Sequence, residues 1–204
     1  MRYAHLSRPW NNSVSLKHQS TSVVVAGRFN PFIFSPDWLE REEIIIGKPK
    51  LMFGGVQGGV GFSCDGIEWQ VDDRNLIVSG KNEIGDLVIK VLGLLKHTPI
   101  KAIGINFSFE SPTWDSPVVP KLGEQKLSDL QEAKVVTWSS IFHEAETRIL
   151  MEVAYGSEGL TVNFNYHTPA TDSGSIITSV EKLQTRFENS KNLINSILKG
   201  DVIE

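Results

Sequence analysis

Two segments of the chain alternate apolar and polar residues with a period of two, and this pattern limits the fold more than any other feature. The apolar positions are Ile103, Ile105, Phe107 and Phe109 in the first segment and Leu160, Val162, Phe164 and Tyr166 in the second. Successive side chains of a β-strand point to opposite faces of a sheet. Each segment therefore predicts a strand that buries one face and exposes the other.

Further segments have the composition of strands, and turn residues separate several of them. These predicted strands cover residues 14–16, 22–29, 67–71, 76–78, 135–142 and 148–154. The turns at 72–75 and 156–159 consist largely of Asp, Asn, Gly and Ser residues. Short turns of this kind join antiparallel neighbours, so the pattern predicts an antiparallel sheet.

Two other segments, 83–97 and 175–199, carry apolar residues at helical spacing. Asp172 or Ser173 can cap the start of the second segment, and Gly200 can follow its end. The polar residues of the second segment include Lys182 and Arg186, and we expect their side chains to face solvent.

The sequence thus predicts an α+β fold in which one antiparallel sheet is covered by two long amphipathic helices. Each helix follows a group of strands, which favours two strands-then-helix halves in one continuous sheet. The 204 residues are predicted to form one domain, 1–204, with the proline-containing segment 111–126 as the boundary between the halves.

Composition narrows the setting and the partners that we expect. A lone cysteine, Cys64, is typical of a reducing compartment. The chain shows no signal-peptide pattern and no apolar run of ~18 residues, so we expect a cytoplasmic protein without a membrane span. The net charge is −4 and the basic residues are scattered, which disfavours nucleic-acid binding.

Glycines are concentrated in one short segment, at Gly54, Gly55, Gly58, Gly59 and Gly61. Backbone N–H groups of such a segment can approach a phosphate, so these residues are candidate ligand-binding positions. The spacing matches neither phosphate-binding glycine motif, and a strand rather than a helix follows. A hairpin loop is therefore the favoured interpretation.

A histidine and two carboxylates lie close together in sequence at His143, Glu144 and Glu146. These residue types can serve as a general base or as metal ligands, and they are the candidate catalytic residues. The cluster also falls on a predicted hairpin turn, where solvated charges are common. No zinc-type spacing of Cys and His is present, so we expect no metal and no cofactor.

The segment 111–126 contains Trp114 and Asp115 between proline residues. Tryptophan is enriched at the centres of protein interfaces, so both residues are candidate partner-binding positions. The alternative is that Trp114 folds back over the sheet and closes the core.

Two stretches carry a resemblance to other proteins. Residues 29–39 follow a pattern F-N-P-x-I-F-x-P-x-W-L, and residues 97–107 follow H-T-P-I-x-A-I-G-I-N-F. In these stretches the chain resembles a broad family of uncharacterised bacterial proteins. The resemblance implies no activity.

The leading functional hypothesis is a non-enzymatic binding or adaptor protein. It would hold a protein partner, which can be a second copy of itself, through a sheet face, a sheet edge or the segment 111–126. The alternative is a small-ligand or nucleotide-binding protein, with hydrolase activity as one form, that uses the glycine-rich segment 54–61 together with His143, Glu144 and Glu146.

Overall fold

The computed structural model describes residues 14–45, 47–54, 59–81, 84–111, 135–156, 159–198 and 200–203. The strands are β1 (Val14–Gly27), β2 (Lys50–Gly54), β3 (Val60–Cys64), β4 (Ile67–Val71), β5 (Asn75–Gly80), β6 (Ile100–Ser111), β7 (Val135–Glu144), β8 (Thr147–Gly156), β9 (Gly159–Pro169) and β10 (Gly200–Ile203). The helices are α1 (Pro36–Arg41), α2 (Ile84–Leu94), α3 (Ser173–Glu181) and α4 (Leu183–Leu198).

Nine of these strands form a continuous antiparallel sheet in the order β2-β3-β4-β5-β1-β6-β9-β8-β7. The long strands β1 and β6 lie side by side at its centre. After β1 the chain crosses to the outermost strand β2 and returns through β3 and β4 to β5, which pairs with β1. After β6 it reaches the outermost strand β7 and returns through β8 to β9, which pairs with β6. The short strand β10 adds to β1 in parallel.

The period-two pattern forms strands that bury their apolar side chains on one face of the sheet, as predicted. Ile103, Ile105, Phe107 and Phe109 of β6 and Leu160, Val162, Phe164 and Tyr166 of β9 are all buried. Phe187 of α4 packs its ring against Phe107 and Phe109 from above. We call this side of the sheet the apolar face and the opposite side the open face.

The prediction that two long amphipathic helices cover the sheet is wrong. The first helix, α2, is shorter than predicted and ends at Leu94. The second is two helices, because α3 ends at Glu181 and α4 begins at Leu183. The apolar spacing continues across this break through Val180, Leu183 and Phe187, so the sequence pattern conceals it. Helix α4 packs most extensively against β10, and the other main helix–sheet contacts are with β1, β5 and β6. The fold is mainly a broad sheet with a few short helices.

Of the local predictions, the cap of α3 is confirmed, whereas the strands at 14–27 and the role of Gly200 differ from expectation. Ser35 caps α1 through its hydroxyl oxygen, which accepts from the backbone N–H of Trp38 at 3.2 Å. The carboxylate of Asp172 caps α3 by accepting from the N–H of Ser175 at 2.8 Å. Residues 14–27 form one strand instead of two, because a bulge near His18 and Ser20 carries the strand through the polar segment. Gly200 starts β10 and does not simply end a helix.

The described helices include none with the length and apolar character needed to cross a bilayer.

Candidate binding edge of the sheet

Strand β7 forms one edge of the sheet. All ten of its residues pair with β8 in an uninterrupted register, from Val135 opposite Gly156 to Glu144 opposite Thr147. Among the described residues, no strand pairs with its other side. Within the described part of the chain, the backbone N–H and C=O groups on that side therefore have no strand partner, and such groups can pair with an added strand.

The side chains of β7 make this edge unusual. Natural edge strands are commonly protected by lysine, proline, a bulge or short length. β7 has none of these, and its one charged residue, Glu144, stands at its end. Trp138 and Phe142 are half-buried on the apolar face, and Ile141 is 53% exposed on the open face. The edge is long, regular and almost uncharged.

The opposite edge, strand β2, is built differently. It has five residues, begins at Lys50 directly after Pro49, and has a register irregularity between Leu51 and Phe53. Leu51 is exposed, but the short length, the lysine and the irregular register all oppose strand addition. The two edges of one sheet therefore differ in their capacity to pair.

The open face beside β7 is polar. Asn165 of β9 donates its amide to the Oδ1 of Asn106 of β6, which in turn donates to the hydroxyl of Ser22 of β1 at 3.0 Å. These groups satisfy one another across three strands. The depression that they line, with Glu152 and Asn163, measures only about 250 Å³. Ligand pockets are usually larger, so we assign this row a structural role in tying the strands together.

The predicted cluster of His143, Glu144 and Glu146 lies at the β7–β8 turn. Register places His143 beside Arg148 and Arg148 beside His167, so these three exposed side chains form a row on the open face. Glu144 lies on the other face, opposite Thr147. The cluster is thus divided between two faces, and among the described residues no three Cys, His, Asp or Glu side chains converge as a metal site requires.

The glycine-rich segment lies far from that cluster. Gly54 is in β2 and Gly61 in β3, which pair as a hairpin, while Gly55 and Gly58 lie outside the described residues. A Cβ at Gly59 would come within 2.8 Å of the carbonyl oxygen of Val71, so close packing explains that glycine. Seven strand spacings separate β3 from β7, roughly 30 Å along the sheet. The structure does not bring the two halves of the ligand-site hypothesis together.

Arg186 of α4 is buried, and the prediction that it faces solvent is wrong. Only 3% of it is exposed. Its guanidinium donates to the hydroxyl oxygens of Thr147 and Thr168, both at 3.2 Å, and lies over the ring of Tyr166 at 5.5 Å. The Nε atom has no hydrogen-bond partner. Helical periodicity assigned this residue to the polar side, and nothing in the sequence indicates the threonine pair that receives it.

The charge of Arg186 is held without a direct ion pair among the described residues. Burial lowers the pKa of Arg186, and the negative charge of Glu144 opposes that shift. Burial likewise raises the pKa of Tyr166, and the hydrogen bond with Ser190 opposes this. These polar contacts fasten α4 to β8 and β9, the strands that support β7.

A separate cleft of about 660 Å³ lies beside Cys64 and Trp69. Its walls are largely apolar, with Ile44, Ile67 and Leu87 among them. Burial raises the pKa of the Cys64 thiol, and the adjacent negative charge of Asp65 raises it further. The thiol therefore stays protonated at neutral pH, which is unsuitable for a nucleophile. Asp65, Lys81 and Asp86 are exposed at the rim and present charges of both signs.

The candidate partner-binding residues Trp114 and Asp115, with nearly all of the predicted boundary 111–126, lie outside the described residues. Of the other tryptophans, Trp69 is fully buried and Trp38 is half-buried.

No protein-family model matches this chain, and no curated protein matches it. The resemblance carried by residues 29–39 and 97–107 stays a prediction. In the fold, the residue just before the first stretch contacts the second stretch at one end of the central pair, because the N–H of Arg28 donates to the carbonyl of Pro99 at 2.9 Å.

Proposed function

We propose that this protein is a non-enzymatic binding protein that holds a protein partner by adding a strand of that partner to the outer edge of β7. One observation carries the proposal. β7 is ten residues long, pairs regularly with β8 and lacks the features that protect natural edges. Strand addition draws its affinity from main-chain hydrogen bonds and its specificity from alternate side chains.

The side chains of β7 are suited to this role. Trp138 and Phe142 offer half-buried aromatic surface on one face, and Ile141 offers exposed apolar surface on the other. Aromatic residues supply much of the binding energy at protein interfaces. The hydrogen bonds from Arg186 of α4 to Thr147 of β8 and Thr168 of β9 hold together the two strands next to β7. These strands support the edge.

The experiment places a photo-crosslinking amino acid at Ser139, which is exposed on β7, and at Gln70, which is exposed on the interior strand β4. Crosslinking is carried out in host cells with the full chain. We expect a crosslinked protein at position 139 and none at position 70. The substitution Ile141→Lys should abolish the crosslink at 139, whereas Gln70→Lys, which adds the same charge away from the edge, should leave it intact.

Two outcomes contradict the proposal. One is an undiminished crosslink at 139 in the Ile141→Lys protein. The other is a crosslink from 139 only to residues 112–134 of the same chain, which would mean that the protein covers its own edge.

A further inference from the structure

We infer that the partner added to β7 is the β7 strand of a second copy, paired antiparallel about a two-fold axis at Ser140. This inference rests on the proposed function and names its partner. A two-fold axis perpendicular to the sheet joins the two copies into one continuous sheet and uses the same surface twice.

The register follows from which face each side chain occupies. Directly opposed residues of an antiparallel pair point to the same face. Since faces alternate along a strand, an even-numbered residue of one β7 must lie opposite an even-numbered residue of the other, and an odd-numbered residue opposite an odd-numbered one. With Ser140 on the axis, Trp138 of each copy lies opposite the partner's Phe142. Both residues are half-buried on the apolar face, opposite Val153 and Ile149 of β8. Pairing places each aromatic ring against another at the position where it is still partly exposed.

Charge favours the same arrangement. Each chain carries a net charge of −4, so like-charge repulsion opposes association of two copies, and a contact surface that is itself nearly uncharged adds no repulsion at close range. From Val135 to His143 the strand has no Asp, Glu, Lys or Arg. Parallel pairing would place Glu144 beside the partner's Glu144. Antiparallel pairing about Ser140 places Glu144 opposite the partner's Val136, and the two carboxylates then lie roughly 27 Å apart along the strands.

The open face of the paired strands is compatible with this register. Ile141 lies opposite the partner's Ser139, and Thr137 lies opposite the partner's His143. The two copies of Ile141 occupy diagonal positions, roughly 7–8 Å apart. Exposed apolar surface on Ile141 is therefore covered in part by its own symmetry mate.

The first test is light scattering and sedimentation of the purified full-length protein over a concentration series. We expect a reversible dimer. Ile141→Lys places two like charges at the diagonal positions and should weaken dimerisation roughly tenfold or more. Gln70→Lys should leave it unchanged. Circular dichroism and thermal unfolding of both variants show whether each remains folded.

The second test fixes the register. Ser140→Cys should form an intermolecular disulfide on mild oxidation, because opposed Cα atoms in an antiparallel pair lie about 4.5–5.5 Å apart. Thr137→Cys is the matched control, since the two introduced thiols would be roughly 20 Å apart. The wild type controls for Cys64.

A monomer at all concentrations overturns the inference, and so does a dimer that Ile141→Lys leaves unchanged or a disulfide that forms at 137 but not at 140. A monomer whose β7 still crosslinks to a different protein in cells overturns only the identity of the partner. A monomer whose β7 crosslinks only to its own chain overturns the proposed function as well.

Discussion

The two sides of the sheet end in different ways. On the side of β2, the strands become short, and the last one starts at Lys50 and has an irregular register. On the side of β7, the last strand has ten residues in unbroken register with β8 and almost no charge. The same chain therefore protects one edge and leaves the other suited to pairing. This difference is the reason for assigning the binding role to β7.

The interiors of the two sides differ as well. Beneath the β2 side, Trp69 stacks on Phe62 with ring centroids 6.0 Å apart, and both side chains are fully buried. Beneath the β7 side, the buried guanidinium of Arg186 bonds to Thr147 and Thr168. An apolar interior gains from burial alone, whereas a buried cation needs its partners held in place. We expect the two sides to respond differently to substitution.

The largest expected effect is that of Trp69→Ala. Removal of a buried indole leaves a cavity, and we expect the free energy of unfolding to fall by about 3–5 kcal/mol. Because β1 and β6 join the two sides in one sheet, denaturant unfolding should remain a single transition. Amide exchange of β8 and β9 should accelerate together with that of β4. Protection on the β7 side that survives unchanged would show that the two sides unfold separately.

Arg186→Ala should follow, with a loss of about 2–4 kcal/mol in the free energy of unfolding, because it removes both packing and hydrogen bonds. Arg186→Met should cost less than half as much. Methionine keeps most of the volume and removes the need to bury a charge. Urea denaturation measures both variants.

The matched control is Arg148→Ala, which removes an exposed arginine from the open face and should change stability by less than about 0.5 kcal/mol. An equal loss in the Ala and Met variants of Arg186 would mean that its charge, and not its packing, dominates.

A smaller effect is expected at the protected edge. Lys50→Val removes the charge at the start of β2 but leaves its short length and irregular register. Association measured by light scattering should therefore change by less than about threefold, far less than the effect of Ile141→Lys on β7. A large increase in association would show that the single lysine is what protects this edge.

The smallest effect is a pH dependence at Asp172, the cap of α3. Its hydrogen bond from the N–H of Ser175 lowers the pKa of the carboxyl below its ordinary value. A lowered pKa means that the stabilisation is present above the unfolded-state pKa and is lost as the pH falls through the folded-state pKa. The difference in melting temperature between wild type and Asp172→Ala should be full at pH 7 and should shrink below about pH 4. Asp172→Asn retains an acceptor without the charge, so the stability of this variant relative to Asp172→Ala should not depend on pH.

Local pattern in the sequence determined much of this protein. Alternation identified the strands that include Ile103–Phe109 and Leu160–Tyr166 and the face that each buries. The predicted capping residue Asp172 was likewise correct. These predictions succeed because side-chain direction and capping depend on residues only a few positions apart.

Only the tertiary structure decided what depends on distant neighbours. Alternation fixes the face of a strand but not the strand beside it, so the sequence left open which strand is the edge. The same limitation placed Arg186 in solvent, because Thr147 and Thr168 meet it only after β8 and β9 have paired. For the same reason the sequence allowed a single ligand site made of the glycine-rich segment, His143 and Glu144. In the sheet, seven strand spacings separate the glycine-rich hairpin from these two residues.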